Sequence, residues 1–275
     1  MKILSFGGGV QSTVLALMAI RNETERPDLV MFADTGDESQ ATYIHIEKVA
    51  NALTAAGIEF CRVSRGNIRR DVLAAAFDKT AKTGRVGQPP FFVHGQTPTI
   101  GRLWRKCSRE YKIDPMVREI RRRFGVAPKK KMPKGVTVEK WLGITVDEAT
   151  RMKPSRHPWE LVRWPLIDMG MTRWDCHRYL KAAGWGVVPK SSCLICPYHD
   201  NAYWRDLRDN AQEEWDGVVT FEKQLHKGRI PGTNSEAFLH RSCVPLAQVD
   251  LSTDTDRGQQ SLSLWAGECE GICGT

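Results

Sequence analysis

The chain has 275 residues, 41% of them hydrophobic and 26% charged, with a formal net charge of +8. That is apolar material for one large domain, or one domain with an appendage. No apolar run approaches the length of a membrane span, and Lys2 leads at once into a strand and a glycine run, so no signal peptide is expected. The expectation is a soluble cytoplasmic protein with no membrane partner.

In chain order, Lys2–Phe6 (KILSF) predicts a short buried strand. Gly7, Gly8 and Gly9 follow, then Val10, Gln11, Ser12 and the apolar helical run Thr13–Ile20. A strand, a glycine turn and a helix N-terminus suit an anion: glycine lets the backbone approach, the first helical N–H groups point outward, and the dipole favours negative charge. The spacing is neither the dinucleotide fingerprint nor the Walker loop, and a purely structural turn is the other reading. Residues 29–33 (LVMFA) predict a second strand ending at Asp34-Thr35-Gly36. A helix is expected over Thr42–Ala56, with Tyr43, Ile46, Val49, Ala50 and Leu53 on one face, and a third strand over Glu59–Val63. This alternation argues for an α/β fold with a doubly wound, mostly parallel sheet and ligands at the carboxyl ends of its strands.

Residues 78–102, rich in Gly, Pro and Thr, read as a long loop or lid. Ile113, Val117, Ile120 and Phe124 mark one face of a short helix, and 125–136 a basic loop. Trp141–Ile144 reads as another strand. Thr172 to Asp175 resembles a capping box opening a helix through Lys181, a cysteine turn follows at 191–199, and helices run to about Lys227. Residues 228–275 read as irregular, with no internal repeat anywhere. The expected division is a nucleotide-binding domain over 1–205, with a basic insertion at 102–134, and a helical and irregular C-terminal extension over 206–275 that ends in a cysteine-containing tail.

Residues 102–134 hold thirteen Lys/Arg and three Asp/Glu, so the rest of the chain is slightly acidic. Concentrated positive charge suggests a polyanionic partner, nucleic acid first; a solvated helix face is the alternative. Eight cysteines without an export signal point to metal or thiol chemistry rather than disulfides. Cys193-x-x-Cys196-Pro197-Tyr198-His199 is a compact chelating turn, and Cys107, Cys193, Cys196 and His199 would make a tetrahedral zinc site. Cys61 and Cys176 read as small core hydrophobes. The remaining histidines, His45 among them, read as surface or satisfied core residues.

Taken together, Ser5-Phe6-Gly7-Gly8-Gly9-Val10-Gln11-Ser12, Phe32-Ala33-Asp34-Thr35-Gly36 with Thr42-Tyr43, Gly143-Ile144 with Asp147-Glu148 and Arg151, and Trp174 to Leu180 resemble the motifs of the phosphoadenosine-phosphosulfate (PAPS) reductase family, within the PP-loop ATP pyrophosphatases. The resemblance runs in order over about residues 1–200 and is similar to the phage and mobile-element members. It implies an adenine nucleotide, ATP or APS/PAPS, held by Ser5, Gly7, Gly8, Gly9, Gln11, Ser12, Asp34, Thr35, Gly36, Gly143, Asp147 and Arg151. Many PP-loops carry Asp where this chain has Gln11, so Asp34 or Asp147 is expected to take any Mg²⁺ contact.

The resemblance further implies a [4Fe–4S] cluster on Cys107, Cys193 and Cys196 beside the nucleotide, with zinc as the rival. Cys243, Cys269 or Cys273 is the fourth ligand, or none is. Two activities follow from it. One is ATP cleavage at the α-phosphate with pyrophosphate release, feeding sulfur transfer to tRNA or DNA held on 102–134. The other is an APS/PAPS reductase releasing sulfite. Cys269 and Cys273 are the expected sulfur carriers in Glu268-Cys269-Glu270-Gly271-Ile272-Cys273-Gly274. A sulfur donor or reductant protein is implied, a homodimer is compatible, and a non-catalytic nucleotide- and cluster-binding subunit is the third reading.

Overall fold

A computed structural model describes residues 1–78, 87–94, 99–231, 233–253 and 256. In chain order the elements are β1 (Lys2–Phe6), α1 (Val10–Ile20), β2 (Leu29–Asp34), α2 (Gln40–Ala55), β3 (Glu59–Ser64), α3 (Ile68–Phe77), β4 (Phe92–His94), β5 (Ile100–Arg102), α4 (Asp114–Arg123), β6 (Val138–Leu142), β7 (Glu160–Arg163), α5 (Pro165–Asp168), α6 (Arg173–Ala182), α7 (Asn201–Asn210), α8 (Gln212–Lys227) and β8 (Ala237–Phe238). The chain divides into two compact units, one from Met1–Arg65 and Arg109–Ser191, the other from Gly66–Ser108 and the described residues after Ser191.

The first unit is a five-stranded parallel sheet in the order β3-β2-β1-β6-β7. The order reverses at β1. The chain winds outward through β2 and β3, then returns to the other side of β1 through β6 and β7, so the carboxyl end of β1 is the topological switch point where such sheets form a crevice. Side-chain alternation builds a core on each face. Leu4, Phe6, Val30, Phe32 and Trp141 pack with α1, α2 and α6, while Ile3, Leu29, Met31, Ala33 and Val138 pack with Met116 and Ile120 of α4. Leu4 to Met31 are almost continuously apolar where paired because both faces are covered.

The expected strands and helices of residues 1–64 all form, within a residue or three of the expected ends. Thr172 caps α6 as anticipated: its hydroxyl accepts from Asp175 N, while Asp175 accepts from Thr172 N at 2.9 Å. That hydroxyl and amide also hold the Asp175 carboxyl down at about 2. Two expectations are corrected. The strand read as Trp141–Ile144 is Val138–Leu142, because Gly143 leaves the ladder to meet the glycine loop. β7 was missed altogether: Glu160–Arg163 alternates buried and exposed, but a charge at each end hid the pattern.

In the second unit, α3 packs with α8, and β5-β4-β8 form a small antiparallel sheet. The described parts of 78–102 are thus partly strand rather than loop, and β8 lies in a stretch read as irregular; all three strands are too short to show periodicity. Glu222 of α8 accepts from Leu239 N at 2.9 Å and Leu246 N at 2.5 Å, which ties the 237–246 segment to the helix.

Candidate functional site

The glycine loop lies at the switch point. Gly9 is the residue before α1, no side chain caps the helix, and no acidic residue stands in its first turn. The amide-rich end of an eleven-residue helix is therefore left with its positive dipole uncompensated, the electrostatic condition for an anion. Ser12 Oγ closes the loop internally, donating to Gly9 O at 3.1 Å and accepting from Gly7 N at 3.3 Å. Thr13 Oγ1 also donates to Gly9 O, at 2.8 Å, and is met by His45 Nε2 at 2.9 Å. Burial pushes His45 down to about 4, so it stands neutral under the loop, the satisfied core role expected of it.

Backbone requirements explain the glycines. Gly8 has φ +80, where an L side chain is strained, and a Cβ there would meet Ile46 at 3.4 Å and Ser191 at 3.5 Å. At Gly9 a Cβ would lie 2.9 Å from Ser191 Oγ. Gly143, leaving β6, comes so close that a Cβ would stand 2.9 Å from Ser12 N and 3.1 Å from the Gln11 carbonyl carbon. The loop and the β6 exit are thus packed backbone to backbone.

The acidic residues near the loop are all engaged. Gln11 donates from Nε2 to Glu148 Oε2 at 2.9 Å, in a buried contact, and Glu148 also pairs with Arg151. Glu148 therefore meets the residue at position 11, while Asp34 and Asp147, the residues expected to take any Mg²⁺ contact, have other partners. Asp147 instead accepts from Arg173 N at 3.0 Å at the start of α6. Asp34 Oδ1 accepts from Gly36 N at 2.7 Å and from the Tyr43 hydroxyl at 2.9 Å; burial, then Asp34, raises the Tyr43 phenol. Thr35 donates to Glu38 at 3.0 Å.

A pocket opens beside the loop on the α4 face of the sheet, its empty space of about 480 Å³ continuous with open solvent. Ser5, Gly7, Phe32 and Ala33 line it from the strand ends, Lys112, Ile113, Met116 and Val117 from α4 and the turn before it, and Lys140 and Glu160 from β6 and β7. Lys140 and Glu160 were not singled out in the sequence. The available signal was a charge in the inward register of a strand, since Val138, Lys140 and Leu142 all point to the side away from Trp141.

The cysteine turn belongs to the second unit. Cys196 N donates to Cys193 O at 3.0 Å, and His199 Nε2 lies 2.9 Å from the same carbonyl. The His199 ring stacks on Tyr203, with centroids 3.5 Å apart. Among the described residues no three His, Cys, Asp or Glu side chains come together as metal donors. As placed, Cys107, Cys193 and Cys196 do not form the expected cluster site, nor do they form a zinc site with His199. Burial pushes the Cys176 thiol up to about 12 and raises Cys243, in keeping with inert core residues. Cys269 and Cys273 lie outside the described residues.

The basic segment is partly structural. Glu119 accepts from Arg122 and Arg123, Arg123 reaches Glu59 of β3 at 3.0 Å, and Arg121 binds the carbonyls of Ala127 and Lys130. Arg118, Lys129, Lys130, Lys131 and Lys134 remain exposed.

Residues 2–87 match the family model of the phosphoadenosine phosphosulfate reductase domain, a span that contains the glycine loop and the Asp34 motif. Among solved structures it is similar to the crystal structure of a phosphoadenylyl-sulfate (PAPS) reductase from Candida auris in a phosphate complex: 15% identity, 69% of this chain and 74% of that chain covered, TM-score 0.41. No protein of curated function matches the sequence.

Proposed function

We propose that the chain is an enzyme that seats an adenine nucleotide with its charged groups on the Gly7–Ser12 loop and its base in the adjoining pocket, and that a sulfonucleotide, APS or PAPS, is its substrate. One observation carries this reading: an uncapped helix N-terminus at the sheet's switch point, held by backbone packing against Gly143, opening beside a pocket with apolar walls. The phosphoadenosine phosphosulfate reductase model matched over residues 2–87 supports a sulfonucleotide over ATP. Lys112, at the pocket wall, supplies positive charge beyond the loop.

In this reading the loop amides and Lys112 hold and neutralise the anhydride, and catalysis is positioning plus electrostatic stabilisation of the leaving nucleotide. A cysteine thiolate, Cys269 or Cys273, attacks the sulfate sulfur. The S–O bond to the phosphate breaks, AMP or its 3′-phosphate form leaves, and a thiosulfonate stands on the cysteine. A second thiol, from the chain or a reductant protein, then attacks the thiosulfonate's cysteine sulfur, releasing sulfite and leaving a disulfide. The exposed cations of α4 and the following loop favour a second reading, ATP cleavage with pyrophosphate release during thiolation of tRNA or DNA. Anaerobic incubation with ATP, APS and PAPS in turn, with a dithiol present, tests both. Sulfite from APS or PAPS is the expected product. Pyrophosphate from ATP establishes the second reading, and neither product leaves a binding subunit.

A further inference from the structure

Two of the residues that line the pocket form a buried ion pair that is incomplete. Lys140 and Glu160 sit on adjacent strands β6 and β7, on the face covered by α4, with Nζ 2.9 Å from Oε2 and side chains only 6% and 2% exposed. Ser155 Oγ also donates to Oε2, at 2.5 Å. That oxygen therefore takes both known bonds, while Glu160 Oε1 is buried with no partner among the described residues and Lys140 Nζ uses one of its three hydrogens on Glu160. Taking two charges out of water is expensive, and a buried acceptor left unmade adds to the cost. Such a group in a pocket wall calls for an explanation, and a ligand that reaches it supplies one.

What would complete it is narrowly defined. Oε1 needs a donor, and the ammonium beside it needs an acceptor, so the ligand must present the two side by side on one edge. Phe32, Ala33, Ile113, Met116 and Val117 make the walls apolar, which suits a flat ring, and Gly7 of the glycine loop lines the same pocket. We propose that Glu160 and Lys140 read the 6-amino and N7 edge of an adenine base, Glu160 Oε1 accepting from the amino group and Lys140 donating to N7. The proposal rests on the reading of this pocket as the nucleotide site. It makes the pair a specificity device: a 6-oxo purine turns an acceptor toward the carboxylate and is rejected, because a site built to hydrogen-bond one group leaves charges unpaired with its analogue.

The isosteric variant Glu160→Gln gives a directional test. Lys140 and Ser155 hold the amide oxygen at the Oε2 position, so the amide NH₂ takes the Oε1 position and becomes a donor toward the ligand. Calorimetric titration would compare ATP with ITP and AMP with IMP on the wild type, on Glu160→Gln and on the apolar double variant Lys140→Met/Glu160→Leu. Melting temperatures would confirm folding. The wild type is expected to favour the 6-amino member of each pair by about tenfold or more, matching the gain or loss of roughly 1.4 kcal/mol. Glu160→Gln is expected to reverse that preference, and the double variant to lose it. Equal affinities in the wild type, or a preference unchanged in a folded variant, overturns this inference while leaving the nucleotide site standing. Binding of none of the four nucleotides to the wild type overturns both.

Discussion

Replacing Gly143 with alanine tests whether the loop's shape is set by the strand that leaves the sheet beside it. The added methyl would stand 2.9 Å from Ser12 N and 3.1 Å from two atoms of Gln11. Ordinary contact begins near 3.4 Å, so the backbones must separate by about half an ångström. Both neighbours are backbone or backbone-anchored and sit on α1, whose apolar side is packed against the sheet, so no flexible side chain can absorb the shift. Overpacking of this kind costs roughly 1–3 kcal/mol of stability. Moving a loop amide by that distance also weakens one hydrogen bond to a charged ligand, worth about 1.5–3 kcal/mol, or roughly 10- to 100-fold in affinity. Thermal unfolding together with titration of AMP, APS and ATP reads both effects. If Gly143→Ala melts within a degree of the wild type and binds nucleotide within twofold, the backbone packing argued here is not what holds the loop.

Restoring an acid at position 11 should do harm: Gln11→Asp removes the donor to Glu148 and sets two carboxylates together, lowering stability by about 1–3 kcal/mol at pH 7.5. Because protonating one carboxylate relieves the repulsion, denaturant midpoints should show the deficit relative to wild type shrinking toward pH 5. Acid should weaken the fold through His45 and His240, both depressed by burial to about 4 from 6.5. Between those values the unfolded chain binds more protons, so stability falls as pH drops from about 6.5 to 4, and His45→Gln should flatten that slope in chemical denaturation at stepped pH. If 102–134 holds nucleic acid, reversing Arg118, Lys129, Lys130 and Lys131 to Glu should weaken gel retardation of tRNA or DNA and flatten its salt dependence without lowering the melting temperature. Reversing Arg123 should instead destabilise the chain, because it ties α4 to β3.

The sheet was legible because buried parallel strands write themselves as apolar runs: LVMFA carries five consecutive buried residues, KILSF carries Ile3, Leu4 and Phe6, and each strand is followed by a glycine turn. The glycine loop was legible because Gly8 and Gly143 occupy positions that a side chain would strain or block. What stayed hidden depended on tertiary contact. Glu148 and Asp147 are neighbours in the same acidic motif, and only folding sends one to Gln11 and the other to the start of α6. Lys140 and Glu160 come from strands twenty residues apart whose alternation is partly masked by their own charge. The cysteine turn shows the limit of spacing arguments: Cys193 and Cys196 stand at chelating distance in sequence, yet the turn spends His199 Nε2 on a backbone carbonyl.

The central claim is that an adenine nucleotide is held on the Gly7–Ser12 loop, and calorimetric titration of ATP, APS and PAPS into the wild type and Gly8→Val tests it most directly. Valine at φ +80, facing Ile46 and Ser191, closes the backbone approach to the anion. The account predicts one site per chain in the wild type and no measurable binding in a variant whose circular dichroism is unchanged. Equal affinity in the two proteins, or no binding of any of the three nucleotides to the wild type, would contradict it.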